Sequence, residues 1–91
     1  MPPEFFTRTG ATTPRTVTTE AIRKGFARRL RAARVAAGYD SARAFAKALG
    51  VHEMTYGRWE RGEVDPPLVT LVHICQLAQT TPDFLLLNRK D

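Results

Sequence analysis

The feature that most constrains the fold is a pair of short helical patterns joined at Gly50. The apolar positions of the first pattern recur at helical spacing and are Ala42, Phe45, Ala46 and Leu49. The second pattern, which ends before Gly62, consists of Thr55, Tyr56 and Trp59. Gly50 can take the positive φ that ends a helix, and Val51 follows it at once. Helices joined by so tight a turn cross at about 90 to 120 degrees, so the sequence predicts that the second one projects from the surface.

The remainder of the chain also predicts helices. The first begins after Thr18 or Thr19, which can cap it, and ends at Gly38. Its apolar stripe is Ile22, Phe26, Leu30, Ala33 and Ala37. The second helix is capped by Asp40 or Ser41, and the third opens at His52 or its neighbour.

Two further helices follow a loop that contains Pro66. A buried fourth helix, with Pro67 in its first turn, is predicted from Leu68, Leu71, Val72, Ile74, Cys75 and Ala78. The order Thr81, Pro82, Asp83 opens a last short helix that carries residues 84–87. The predicted fold is all-α, with five helices in residues 19–91. Residues 1–18 are rich in threonine and proline and poor in bulky apolar groups, which predicts a flexible N-terminal arm.

Size and charge narrow the class of protein. A chain of 91 residues allows one core, and hence one domain with a tail. Its 14 lysines and arginines outnumber 9 acidic residues, giving a net charge of +5. Eleven of the cations are arginine, which pairs with phosphate as a planar fork. The charge favours a nucleic-acid partner, although it is also compatible with a role in solubility alone.

Cysteine content and hydropathy indicate the cellular compartment in which the protein is expected. Cys75 is the single cysteine, so no internal disulfide can form and a reducing environment is expected. The chain contains no apolar stretch of about 18 residues and no signal-peptide pattern at its start. We therefore expect a cytoplasmic protein without a membrane partner.

The residues around the turn resemble those of a known family. Ala46, the Leu49-Gly50-Val51 turn, the run 59–62 (Trp-Glu-Arg-Gly), Pro66 and Leu68 look like the helix-turn-helix family of the phage repressors and Cro, the XRE-like proteins. The similarity runs from about residue 30 to residue 87. It implies a five-helix lambda-repressor-like helix-turn-helix domain that binds double-stranded DNA with its third helix in the major groove.

The resemblance also implies which residues contact DNA. Base-edge contacts are expected from the first turns of the third helix, at Glu53, Met54, Thr55 and Arg58. Phosphate contacts are expected from Ser41, Arg43 and Arg61. Ala42 replaces a polar residue common in the family, and Glu63 and Asp65 replace basic loop residues. These differences predict weaker phosphate binding than is usual for the family.

Two further expectations concern assembly. The family pattern implies an ion pair between Arg34 and Glu60 that joins the first and third helices. Specific sites for this fold are generally read by a two-fold dimer, because one recognition helix covers few base pairs. The consecutive apolar residues of the last helix exceed what one helix face buries, so we expect a dimer interface that includes Phe84, Leu86 and Leu87.

Two other functions, an enzyme and a protein-binding module, compete with DNA binding. An enzyme is not expected, since His52, His73 and Cys75 form no nucleophile and base set and no phosphate-binding loop appears. No cofactor and no metal are implied. A transcriptional regulator is favoured. Repressor is the default role, because a chain of this size has no room for a sensor domain and can act by occupying a promoter, although an activator would have the same sequence features. The alternative is an antitoxin-type module that binds a small protein partner as well as its own operator.

Overall fold

The computed structural model describes residues 18–88, and these form five α-helices. In chain order they are α1 (Thr19–Ala36), α2 (Ala42–Leu49), α3 (Glu53–Glu60), α4 (Leu68–Ala78) and α5 (Pro82–Leu87). No strand occurs within residues 18–88. The predicted all-α, five-helix fold is confirmed. The predicted flexible arm lies outside the described residues, apart from Thr18 at its end.

Side-chain caps and a glycine set the limits of α1. The hydroxyl of Thr18 accepts a hydrogen bond from the Ala21 amide at 3.1 Å. At the other end Gly38 has a φ of +98°, and the Tyr39 amide donates to the Arg34 carbonyl. These bonds satisfy backbone groups that the helix leaves unpaired. The long α1 packs against α3, α4 and α5 and forms the back of the domain.

The turn between α2 and α3 has the geometry that Gly50 predicts. Gly50 has a φ of +81°, and the Val51 amide donates to the Ala46 carbonyl at 3.0 Å. Ser41, rather than Asp40, caps α2 by accepting from the Ala44 amide. Ala46 is buried where α2 and α3 pack together, a position that a larger side chain would force apart.

Aromatic side chains connect these helices to the core. Rings of Tyr39, Phe45, Tyr56 and Trp59 follow one another with centroids 5.0, 5.5 and 5.8 Å apart. Edge-to-face or tilted rings at such distances stabilise a core beyond the area they bury. Leu30, Ile74 and Leu85 complete the fully buried set contributed by α1, α4 and α5. The outer helices therefore hold α3 from behind.

The last helix is attached to α1 by an arginine to which no sequence pattern pointed. Arg29 donates from Nε to the Leu85 carbonyl at 3.0 Å and from Nη2 to the Leu86 carbonyl at 3.4 Å. Thr81 caps α5 as predicted, with Pro82 as its first residue. The carbonyls at the end of this short helix thus have a cationic donor.

Three predictions of burial were wrong. Ile22 is half exposed, because the loop after α3 covers the Arg23 side of that turn instead. Leu68 and Val72 are also exposed, and Pro67 caps α4 instead of lying within its first turn. The start of α4 is almost continuously apolar, so periodicity alone did not select the buried face.

Candidate nucleic-acid interface

One side of α3 is free of the core and presents a continuous row of positions. Met54, Gly57, Arg58 and Arg61 are spaced i, i+3, i+4 and i+7, so they share this side. Met54, the first of them, is 72% exposed. Tyr56, Trp59 and Glu60 lie on the opposite side and are buried. The outward row is about two helical turns long and faces away from the domain.

The start of α3 brings two predicted DNA-contacting residues together. His52 caps the helix, its Nδ1 accepting from the Met54 amide at 3.1 Å. Next to it Glu53 Oε1 lies 3.9 Å from Nε of Arg43, which extends from α2. Both side chains are largely exposed. The beginnings of α2 and α3 therefore meet at one edge, where a predicted base-reading carboxylate faces a predicted phosphate-binding arginine.

At the end of α3 two predicted DNA-contacting arginines share one carboxylate. Arg61 Nε lies 2.7 Å from Glu63 Oε2, and Arg58 Nε lies 3.5 Å from Glu63 Oε1. The hydrogen bond from Arg61 holds the pKa of the Glu63 carboxyl below its ordinary value, and Arg58 acts in the same direction. All three side chains are about half exposed. Glu63 therefore bridges the two cations at the surface.

A glycine lets Arg61 lie flat on α3. A Cβ atom built at Gly57 would stand 3.0 Å from Arg61 Nη1, closer than nearly all real contacts of this kind. The absence of a side chain at Gly57 thus leaves room for the guanidinium on the outward row. Arg61 reaches this position while its Nε remains bonded to Glu63.

The loop after α3 is held against α1. Arg23 makes two hydrogen bonds to the Asp65 carboxylate, at 2.8 and 3.3 Å, and these lower the pKa of Asp65. A Cβ at Gly62 would stand 3.3 Å from the Arg23 carbonyl oxygen, and its φ of +74° also suits glycine. The position of Glu63 next to this glycine is therefore set by the backbone.

Two other predicted contact residues lie at the same surface. Ser41 is exposed at the start of α2, where its oxygen already accepts the capping hydrogen bond. A hydroxyl that accepts can still donate its proton to another acceptor. Thr55 is exposed at the flank of α3, beside the outward row.

Behind α3 lies a buried charged cluster. Arg34 Nε donates to Glu60 Oε2 at 2.7 Å and its Nη1 donates to the Tyr39 carbonyl at 2.8 Å. The Tyr56 hydroxyl donates to the same Glu60 oxygen. Burial raises the pKa of Tyr56, and the adjacent carboxylate raises it further, so the hydroxyl keeps its proton and donates. This cluster fixes α3 relative to α1 and the loop before α2.

Sequence reasoning missed three contributors to this region. The i, i+4 spacing of Tyr56 and Glu60 was a signal for the hydroxyl-carboxylate contact. Gly57 stood out as a poor helix former in the middle of a helix. Sequence reasoning assigns Glu63 only a weakening of phosphate binding, because its spacings of two and five from Arg61 and Arg58 are not those of paired side chains on a helix.

The predicted dimer surface divides between core and solvent. Phe84 is partly buried and packs against the core, whereas Leu86 and Leu87 are exposed on α5. Leu68, Val69 and Val72 form a second exposed apolar surface, on α4. No described helix is long and apolar enough to cross a membrane.

Comparison with known proteins agrees with this geometry. A family model described as a helix-turn-helix domain matches residues 26–85, which cover α2, the turn and α3. The chain belongs to the helix-turn-helix family. This supports the XRE-like type that the sequence resembles.

A curated relative points the same way. The SPbeta prophage-derived uncharacterized HTH-type transcriptional regulator YonR of Bacillus subtilis (strain 168) is 36% identical over 61 residues. That alignment covers 67% of this chain and 56% of the relative, so the chain spans little more than half the relative's length. No solved structure matches the chain significantly.

Proposed function

We propose that this helix-turn-helix protein is a sequence-specific transcriptional regulator that reads double-stranded DNA with α3 in the major groove. The observation that carries the proposal is the outward row of α3, which stands free of the core and includes two arginines. The major groove admits an α-helix and shows a distinct donor and acceptor pattern for each base pair. The family match and the name of the curated relative support a DNA-binding regulator.

Base reading is assigned to Glu53, Met54, Thr55 and Arg58. Arg58 donates two hydrogen bonds to a guanine edge, and Glu53 accepts from a cytosine amino group. Met54 and Thr55 contact thymine methyl groups. The exposure of all four side chains supports these roles.

Phosphate binding is assigned to Ser41, Arg43 and Arg61, which flank α3 on two sides. Such contacts set the register of the protein on the duplex and carry no sequence information of their own. Arg43 and Arg61 each exchange a carboxylate partner for a phosphate on binding, since both lie beside a glutamate in the free protein.

The regulator acts as a dimer on a pseudo-palindromic operator and represses by occupying a promoter. Two recognition helices about 34 Å apart read two half-sites one turn of DNA apart. The contact between copies is assigned to α5, through Leu86 and Leu87 with Phe84 behind them. The exposure of two adjacent leucines at the end of a short helix supports this surface.

Selection from a pool of randomised duplexes tests the DNA-reading proposal. The wild-type chain should enrich a defined motif with two related half-sites. Arg58→Ala should lose enrichment at one base pair of each half-site, with binding to that site weakened by about 1–3 kcal/mol. Arg28→Ala removes the same charge from an exposed position on α1 and should leave the motif unchanged. Weak binding that ignores sequence in all three proteins contradicts the proposal.

Sedimentation of the wild type and two variants tests the dimer surface. Leu87→Lys should shift the protein towards monomer and weaken binding to a two-half-site duplex. Val69→Lys places the same charge on the exposed surface of α4 and should have little effect on either measurement. If only Val69→Lys disrupts the dimer, the interface lies on α4 instead.

A protein-binding role like that of an antitoxin is the second candidate. Exposed apolar side chains on both α4 and α5 favour it, because surfaces of this kind commonly bind other proteins. Co-purification of a second small protein that dissociates from Leu87→Lys or Val69→Lys would support this role. Purification of the chain alone, with selective DNA binding, would argue against it.

A further inference from the structure

Glu63 occupies an unusual place for an acidic residue in a DNA-binding surface. It follows α3 directly and contacts both arginines of the outward row, one with each carboxylate oxygen. The backbone at Gly62 and the Arg23–Asp65 bridge hold the loop that carries it. The loop backbone therefore keeps the carboxylate within reach of both arginines.

We propose that Glu63 is a specificity-determining residue, which suppresses binding to unrelated DNA by holding Arg58 and Arg61 against α3. This inference rests on the proposed function and extends it to a residue that itself contacts neither base nor phosphate. The carboxylate competes with phosphate for both arginines. It also orients Arg58 for base reading.

The competition acts mainly on unselective binding. Affinity for random DNA comes almost entirely from cations that neutralise phosphates. An arginine already paired with a carboxylate must give up that partner before it binds a phosphate, so its net contribution is reduced. Arg61 must also leave the surface of Gly57, where its Nη1 lies in the free protein.

Base reading by Arg58 is affected differently. The contact to Glu63 uses Nε of Arg58, and a guanidinium has five N–H donors in a planar fork. Its two Nη groups stay available for a guanine edge while Nε remains beside Glu63. When Arg58 binds a guanine at a selected site, its contact with Glu63 is therefore kept. When Arg58 turns away to bind a phosphate instead, the Arg58–Glu63 contact must break.

Glu63→Gln separates these effects, with Glu20→Gln as the matched control. Both variants raise the net charge by one, but Glu20 pairs with Lys24 in the first turn of α1, whereas Glu63 pairs with arginines of α3. Two probes are needed. One is a duplex of about 20 base pairs enriched by the wild-type chain, and the other is the unselected random pool of equal length.

Glu63→Gln should raise affinity for the random pool by about two- to tenfold and affinity for the selected duplex by a smaller factor, because Arg61 gives up Glu63 on both probes while Arg58 keeps it on the selected duplex. The slope of log affinity against log salt on the random pool should steepen by about 0.9 for each additional phosphate that the variant neutralises. Glu20→Gln should raise affinity for the selected duplex and for the random pool by the same small factor. Thermal unfolding of each variant verifies that the fold is retained.

A double variant identifies the arginine through which Glu63 acts. In an Arg61→Gln background, Glu63→Gln should lose part of its effect on the random pool, because Arg61 is the closer of the two partners, and the remaining effect acts through Arg58. An undiminished rise in affinity overturns the proposed mechanism. Equal ratios of selected to random affinity in Glu63→Gln and Glu20→Gln also overturn it, since net charge then explains the result. Wild-type binding without selectivity contradicts the proposed function itself, which distinguishes that failure from failure of this inference.

Discussion

Two glutamates three residues apart make arginine pairs of the same length in opposite surroundings. Glu60 and Arg34 are 2.7 Å apart with side chains only 8% exposed, whereas Glu63 and Arg61 are 2.7 Å apart with side chains 46% and 57% exposed. The first pair joins α3 to α1, and the second lies on the outward surface. The comparison shows that distance does not decide what an ion pair does.

Burial decides the role of each ion pair, because water competes for the charges of the exposed pair and not for those of the buried pair. A buried charge that loses its partner is left without compensation, while an exposed charge regains hydration. The Arg34–Glu60 pair is therefore suited to fix the orientation of α3. The Arg61–Glu63 pair is suited to open when a phosphate approaches.

The largest expected effect comes from breaking the buried pair. Arg34→Met leaves the buried Glu60 beside Tyr56 with only the longer contact to the exposed Arg31, 3.8 Å away, and should lower the free energy of unfolding by about 3 kcal/mol. Arg34→Met combined with Glu60→Met should be less destabilised than the sum of the two single variants. Urea denaturation of all three proteins measures both quantities. A loss below about 1 kcal/mol for Arg34→Met would mean that water reaches this pair.

A smaller loss of stability is expected from removing the Tyr56 hydroxyl, which lies next to the buried pair. Tyr56→Phe takes one hydrogen-bond donor from the Glu60 carboxylate, which should cost about 1–3 kcal/mol in unfolding free energy. Tyr39→Phe makes the same change on a partly exposed ring and should stay within about 0.5 kcal/mol. Equal losses of unfolding free energy in the two variants would mean that the Tyr56 hydroxyl is not part of the buried cluster.

Gly57→Ala, on the outward row of α3, should raise the stability of the fold, unlike the two substitutions in the buried cluster. An alanine in the helix should stabilise the fold by about 0.5–1 kcal/mol, since only the flexible end of Arg61 must shift. Affinity for the selected duplex should fall by about tenfold, because the methyl group intrudes on the side that we propose faces the groove.

Gly25→Ala is the matched control for that variant. Its Cβ would also approach an arginine, Arg29 at 3.2 Å, but this arginine is bonded to carbonyls of α5 and is less free to move. We expect a smaller increase in stability and no change in DNA affinity. Loss of DNA affinity in both glycine variants would point to a general distortion of the domain.

The smallest effect on stability is expected from Glu63→Gln. Its thermal midpoint should equal that of the wild type within the reproducibility of the measurement, because both partners remain solvated. A clear fall in the midpoint would show that the exposed pair is a structural element like its buried neighbour. The comparison between the two glutamates would then no longer hold.

The amino-acid sequence by itself determined the local structure of this protein. Polar residues at 18–19, 40–41 and 81 mark to within one residue where helices begin, and Gly50 marks the turn, because capping and positive φ depend on residues close in the chain. The exposed positions of α3 also followed from helical spacing and the family resemblance. These features require no knowledge of how distant segments meet.

Only the tertiary structure decided how the side chains are paired and which apolar residues remain exposed. Leu68 and Val72 face solvent because the crossing of α4 with its neighbours selects one side of an almost uniformly apolar helix start. Asp65 meets Arg23, 42 residues away along the chain, because the loop after α3 packs against α1. Such contacts depend on helix packing angles, which local sequence patterns do not encode.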